Sequence, residues 1–122
     1  MTGGGGGGQQ SFFENTSNFT INSNATVESP ISVSRSGNAP SDLRVGVDIK
    51  HTYRGDLVID LVAPDGSTYR LKNSNGRDGA DNVITTYTVN ASSESANGTW
   101  RLRVRDVFNG DDGFIDDWSL QF

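Results

Sequence analysis

The sequence contains no cysteine among its 122 residues. A disulfide framework, a thiol nucleophile and a thiolate metal site are therefore excluded. His51 is the only histidine, so a cluster of histidine ligands is excluded as well. No apolar run approaches the roughly 20 residues that a membrane-spanning helix needs.

Residues 1–8 contain neither a basic stretch nor an apolar one, so we do not expect them to be a signal peptide. If the parent protein is secreted, we expect this chain to be an excised piece of it. Residues 1–10 include six consecutive glycines, which is typical of a flexible linker, whether natural or partly added to the natural chain. We predict a glycine-rich linker over residues 1–10 and one folded domain over residues 11–122.

Positive charge is scarce: 10 basic residues stand against 15 acidic ones, and the formal net charge is −5. An acidic surface of this kind favours solubility and cation binding, and it disfavours nucleic acid as a partner. Neither nucleic acid nor membrane is therefore expected among the partners of this chain.

A helical period is absent, whereas alternation of apolar and polar residues recurs in short segments. In residues 43–50 and 57–62 this period of two predicts strands with one face in a core. Pro64 and the Asp65-Gly66 pair supply the turn chemistry of a hairpin. About eight such segments predict an all-β fold, a jelly-roll-like antiparallel β-sandwich. Further strands are expected near residues 12–13, 19–21, 27–33, 68–71, 83–89, 100–105 and 118–122.

Catalytic patterns are missing around His51. A Ser-His-Asp triad needs a positioned nucleophile and a group that orients the base, and no G-x-S-x-G segment occurs. We interpret His51 as a hydrogen-bonded turn residue and the chain as non-catalytic.

An Arg-Gly-Asp triplet at residues 54–56 stands between the two central strand segments. An adhesion motif is one interpretation, but a structural role is favoured. Gly55 permits a tight bend, and we expect the Asp56 carboxylate to accept hydrogen bonds from backbone amides of the turn.

Acidic residues are concentrated in two Gly- and Asn-rich loops, around residues 73–82 and 106–117. Calcium takes six to eight oxygen ligands, and flexible loops of this composition can supply them. Solvated acidic turns are the alternative, because neither loop has the EF-hand pattern. The predicted calcium ligands are Asp78, Asp81, Asp106, Asp111 and Asp48.

Two further patterns concern the faces of strands. Arg101, Arg103 and Arg105 alternate with apolar residues, and we expect them to form a charge ladder with Asp48 and Asp60 on neighbouring strands. A basic ligand-binding stripe is the alternative. Trp100 and Trp118 are expected in the core, and Phe12, Phe13 and Tyr53 are candidates for a docking patch.

Several of these segments together resemble a known family. The resemblance rests on His51-Thr52, Arg54-Gly55-Asp56-Leu57, Ile59-x-Leu61, Pro64-x-Gly66, Leu71, Asn97-Gly98-Thr99-Trp100-x-Leu102, Asp106, Gly113 and Trp118-x-Leu120. In order and spacing they resemble the P domain, or P/Homo B domain, of kexin- and furin-like and bacterial subtilisin-family serine proteases. The similarity extends over roughly residues 11–122.

The resemblance implies a jelly-roll-like sandwich that is a C-terminal accessory domain of a secreted, bacterial, subtilisin-like serine protease. It implies support of the parent enzyme's folding and stability, with the parent catalytic domain as partner and with bound calcium as a candidate cofactor. The alternative is a binding module that tethers the protease to protein or polysaccharide substrate. We expect the domain itself to be a monomer.

Overall fold

The computed structural model describes residues 10–122, in which the regular structure is β-strand apart from one 3₁₀ turn at Arg54–Asp56. The predicted linker over residues 1–10 lies outside these residues except for Gln10, and it stays a prediction. None of the described residues belongs to a helix long and apolar enough to cross a membrane. The strands in chain order are β1 (Phe12–Asn15), β2 (Phe19–Ile21), β3 (Thr26–Val33), β4 (Leu43–His51), β5 (Leu57–Val62), β6 (Thr68–Lys72), β7 (Val83–Val89), β8 (Gly98–Asp106) and β9 (Gly113–Gln121).

The strands form two antiparallel sheets. The first has the order β1-β9-β4-β7, with β2 also paired to β9, and the second has the order β3-β8-β5-β6. This arrangement confirms the predicted all-β sandwich, with nine strands in residues 10–122. β9 begins at Gly113, well before the expected position near 118, because β4 pairs with it along its whole length.

The core lies between the sheets and is built by the alternation seen in the sequence. On β4 every second residue from Leu43 to His51 is buried, and β8 alternates in the same way from Trp100 onward. Trp100 and Trp118 are buried, which confirms their predicted core positions. Their indole N–H groups donate to the carbonyl of Ala96 at 2.9 Å and to Oγ of Ser29 at 2.9 Å, so neither ring is available for stacking on a ligand.

β5 differs from its expected pattern, because all six of its residues are buried rather than one face alone. The strand lies in the middle of its sheet, between β8 and β6. Asp60, on its outer side, is covered by an ion pair with Arg70 of β6. The alternation in the sequence predicts the buried inner face of β5, but its outer face is buried by the neighbouring strand β6.

The predicted hairpin is confirmed. β5 pairs antiparallel with β6, and Val62 lies opposite Thr68. Gly66 has a φ of +90°, a conformation that residues with a Cβ rarely adopt. The Asp-Gly turn therefore determines the register of this hairpin.

The predicted arginine ladder is not seen among the described residues, where Arg103 alone of the three arginines forms an ion pair, with Glu28 of β3 at 2.8 Å. Asp60 lies opposite Arg103 in the register, as expected, but its ion pair is with Arg70. Asp48 cannot reach these arginines, because β4 belongs to the other sheet.

The aromatic patch is also smaller than expected. Phe12 is exposed, but Phe13 is buried and packs edge-on against Phe122 at a ring-centroid distance of 5.7 Å.

Candidate cation site at one end of the sandwich

One end of the sandwich gathers residues that are far apart in the sequence. His51 ends β4 and lies opposite Gly113, where β9 begins. Asp106 ends β8 and lies opposite Leu57, where β5 begins. The 3₁₀ turn carries the chain from β4 in one sheet to β5 in the other, so it crosses this same end. The register therefore places the imidazole, the turn and the start of the 107–112 loop together.

His51 and Asp106 form a buried pair. The imidazole Nε2 lies 2.8 Å from Oδ2 of Asp106, and both side chains are fully buried. The backbone N–H of Tyr53 donates to Nδ1 at 3.0 Å, so that nitrogen keeps its lone pair and the ring proton resides on Nε2, which donates to Asp106. The other carboxylate oxygen, Oδ1, accepts from the backbone N–H of Phe108 at 3.1 Å. The interpretation of His51 as a hydrogen-bonded residue is confirmed.

Asp56 corrects an expectation from the sequence. Its backbone N–H donates to the carbonyl of Tyr53 at 3.1 Å, and its carbonyl accepts from Val107 at 3.0 Å. Its carboxylate, however, receives no hydrogen bond from the described residues, although Asp56 is only 5% exposed. The turn amides that were expected to bind it are directed elsewhere, because the triplet forms a 3₁₀ turn between the sheets.

The three side chains converge. A carboxylate oxygen of Asp56, a carboxylate oxygen of Asp106 and a ring nitrogen of His51 all lie within 4.8 Å of one another. Burial raises the pKa of Asp56 above its ordinary value, and the nearby carboxylates of Asp106 and Asp111 raise it further. Both effects disfavour the charged form of Asp56 when no cation is close.

Lys72 is the lysine whose charge acts on Asp56, but its hydrogen bonds are made to other groups. Its ammonium donates to the carbonyls of Arg54 at 2.8 Å, Leu57 at 3.1 Å and Asn73 at 3.2 Å. A lysine has three N–H donors, so none is left for the Asp56 carboxylate. Lys72 contributes only through its charge, and burial lowers its own pKa.

A cavity of about 270 Å³ opens beside the cluster. It is lined by Tyr53, Asp56, Gly76, Phe108, Asn109 and Asp111. Asp111 is half-buried and its Oδ1 accepts from Oγ1 of Thr52 at 2.7 Å. Oxygen atoms from the 3₁₀ turn and from the 107–112 loop thus face the same space.

The other predicted metal ligands lie elsewhere. Asp78 pairs with Arg54 at 2.9 Å, and that hydrogen bond lowers the pKa of Asp78. Asp81 is exposed. The 73–82 loop packs on the turn at Gly55, where a Cβ would overlap the carbonyl oxygens of Asn75 and Asp78. The predicted structural role of this glycine follows from that contact.

Asp48 belongs to a second acidic cluster on the outer face of the first sheet. Carboxylate oxygens of Asp48, Asp116 and Asp117 lie within 4.8 Å of one another, and all three residues are half-buried. Lys50 forms ion pairs with Asp48 and with Asp116. Burial raises the pKa of Asp117, and Asp48 and Asp116 add to the effect. This cluster has a cation of its own.

Asp56 is the site residue that sequence reasoning missed. The signal was present, since Asp56 directly precedes a buried strand and follows a glycine. That Asp56 lies near Asp106 follows only from the register between β5 and β8, which cannot be derived from the sequence.

Comparisons with known proteins agree with this fold. The chain is 62% identical over 113 residues to "Transglutaminase-activating metalloprotease" of Streptomyces mobaraensis, covering 92% of this chain and 15% of that protein. It is 55% identical over 113 residues to "Leupeptin-inactivating enzyme 1" of Streptomyces exfoliatus, covering 90% and 26%. The crystal structure of the Aeromonas sobria serine protease with its chaperone shares the fold, with a TM-score of 0.64 and 20% identity over 92% of this chain and 27% of that chain.

The chain thus spans about a quarter or less of the length of these relatives. A family model described as "Proprotein convertase P-domain" matches residues 40–122, which include β4–β9 and the whole candidate site. The resemblance stated from the motifs is confirmed, and the chain belongs to the proprotein convertase P-domain family.

Proposed function

We propose that this chain is a non-catalytic accessory domain of a secreted bacterial protease and that it supports the folding and stability of that enzyme. The observation that carries the proposal is the match of this sandwich to a small part of much longer proteins, one of which is named as a metalloprotease. The parent catalytic domain is the proposed partner.

A non-catalytic role agrees with the chemistry of His51. Both ring nitrogens are engaged, one by Asp106 and one by the backbone N–H of Tyr53. A general base needs a free nitrogen within reach of a nucleophile. The buried imidazole instead links the ends of β4 and β8.

Calcium is the cofactor that we propose to contribute to this stability. The acidic loops at the end of the sandwich offer carboxylate, amide and backbone carbonyl oxygens, and calcium prefers such donors. An ion that binds only the folded state adds to the free energy of unfolding.

The catalytic class of the parent protease is proposed to be serine and subtilisin-like, as the motif resemblance implies. The printed names of similar proteins include both a metalloprotease and a serine protease. The inhibitor profile of the parent enzyme decides between the classes: loss of activity with a serine-directed covalent inhibitor supports the proposal, and loss only with a zinc chelator contradicts it.

The accessory role is tested by removing residues 11–122 from the parent protease. We expect a lower yield of folded enzyme and a shorter half-life on heating, with little change in kcat on a small soluble substrate. Unchanged yield and half-life would contradict the role.

A substrate tether is separated from the stability role by co-sedimentation of the chain with insoluble protein or polysaccharide. Trp100 and Trp118 are buried, so these two rings cannot form a stacking platform for such a tether. Co-sedimentation together with unchanged stability of the truncated protease would replace our proposal with the tether.

A further inference from the structure

We infer that the calcium ion binds at one place, on the converging carboxylates of Asp56 and Asp106 beside the cavity that Asp56 and Asp111 line, with His51 as a positioning residue that is not a ligand. This inference rests on the calcium part of the proposed function and names its site. It does not depend on the accessory role in the protease.

The carboxylate of Asp56 has no hydrogen-bond donor among the described residues, although Asp56 is buried. A buried carboxylate without a donor is costly to leave charged. Its neighbours cannot supply one: Lys72 donates to three carbonyls and His51 donates to Asp106. Asp106 and Asp111 add negative charge beside it. A cation at the Asp56 carboxylate can also contact Asp106 and offsets the negative charge of all three carboxylates.

The donor atoms around Asp56 favour calcium over zinc. Zinc would take a lone pair of His51 as a ligand, but Nδ1 accepts from Tyr53 and Nε2 holds the proton that it donates to Asp106. The donors that face the cavity are oxygens, which hard cations prefer. His51 therefore acts through Asp106, whose carboxylate it orients.

The space and the ligand geometry around Asp56 suit calcium better than magnesium. A cavity of about 270 Å³ touches both Asp56 and Asp111 and opens to solvent, so waters can complete the six to eight ligands that calcium takes. Magnesium needs a near-ideal octahedron at shorter distances. Ligands from a 3₁₀ turn, a strand end and a loop suit the more adaptable ion.

A proton is the competing partner for Asp56. If Asp56 were simply protonated, it could donate to Asp106 and no metal would be needed. An asparagine at position 56 separates the two cases, because it imitates the protonated acid but does not supply the charge that calcium needs.

The test is thermal unfolding of the chain with Ca²⁺, Mg²⁺, Zn²⁺ or excess chelator. At free calcium about a hundred times Kd we expect the wild-type midpoint to rise by about 10 °C over chelator. Asp56→Asn should lose most of this rise and should be at least as stable as wild type in chelator. Asp117→Asn is the matched control, since it makes the same change in the surface cluster, and it should keep the full rise.

A second measurement locates the ion directly. Terbium replaces calcium in oxygen sites, and excitation of Tyr53, which lines the cavity, should sensitise its emission in wild type and in Asp117→Asn but not in Asp56→Asn. Tyr53→Phe removes the sensitising tyrosine and also its hydrogen bond to the carbonyl of Gly76. Thermal unfolding of this variant without calcium measures the effect of the lost hydrogen bond alone.

Three outcomes would overturn the site. A full calcium response in Asp56→Asn would leave calcium in the proposed function but remove it from this place. A response to Zn²⁺ alone would make His51 a ligand. No response of the wild type to any of the three ions would remove both the site and the calcium part of the proposed function, while the truncation of the parent protease would still test the accessory role independently.

Discussion

The two acidic clusters of this molecule contain the same kind of side chain in opposite surroundings. The surface cluster of Asp48, Asp116 and Asp117 is half-buried and includes Lys50, which bridges two of its members. Within residues 10–122 no ammonium donates to Asp56 in the buried cluster of His51, Asp56 and Asp106, and Lys72, whose charge acts on Asp56, donates to backbone carbonyls.

This difference shows that the number of carboxylates does not mark a cation site. The surface trio is partly neutralised by Lys50, and solvent screens the remaining charge, so it has less to gain from a metal. The buried group has neither, and Asp56 is left without a donor. Burial and the commitment of nearby donors separate a candidate site from a solvated turn.

The largest expected effect comes from deleting one acid in each cluster. Asp106→Ala should lower the free energy of unfolding by about 3 kcal/mol or more, because it leaves the buried His51 N–H and the backbone N–H of Phe108 without acceptors. Asp116→Ala, whose side chain is 39% exposed, should change it by no more than about 0.5 kcal/mol. Urea unfolding of both variants measures the contrast, and equal losses would erase the distinction between the clusters.

A smaller effect is expected from removing the internal cation of the surface cluster. Lys50→Met takes away the ion pairs with Asp48 and Asp116, so the three carboxylates should repel one another. We expect the unfolding midpoint to fall by about 2 °C at most and to recover at high salt, which screens exposed charges. A fall that salt does not reverse would indicate that Lys50 acts through packing instead.

The smallest effect concerns Asp117 and its dependence on pH. Its pKa is raised above the ordinary 3.8 in the folded chain, so between 3.8 and the raised value the folded state binds more protons than the unfolded state. Stability therefore falls as pH rises through that window. Asp117→Asn should be more stable than wild type at neutral pH, by no more than about 0.5 kcal/mol, and the difference should vanish below pH 3.8. If the stability advantage of Asp117→Asn over wild type grew at acid pH, the pKa of Asp117 would be lowered rather than raised in the folded chain.

Much of the fold could be predicted, because apolar and polar residues alternate along each strand and the apolar ones mark its inner face. β4, β7 and β8 lie where their patterns place them, and the Asp65-Gly66 turn identifies its hairpin. The outer face of β5 could not be predicted, because the pairing of Asp60 with Arg70 depends on which strand lies beside it.

The candidate site was only partly predictable for the same reason. Asp106 and Asp111 were expected as ligands from the composition of their loop, and the structure places both near Asp56. Asp56 itself, 50 residues earlier than Asp106, was assigned to a turn. Nothing local indicates that its carboxylate has no donor.

The sequence by itself determined the sandwich, its core and the position of its main turns, because the period of two and the Asp-Gly pair act over a few neighbouring residues. Only the tertiary structure decided which carboxylates would be buried together. That outcome depends on strand register and on the crossing from β4 to β5 between the sheets, which are long-range pairings. It also depends on the hydrogen bonds of His51 and Lys72, whose donors are committed to other acceptors once the chain is folded.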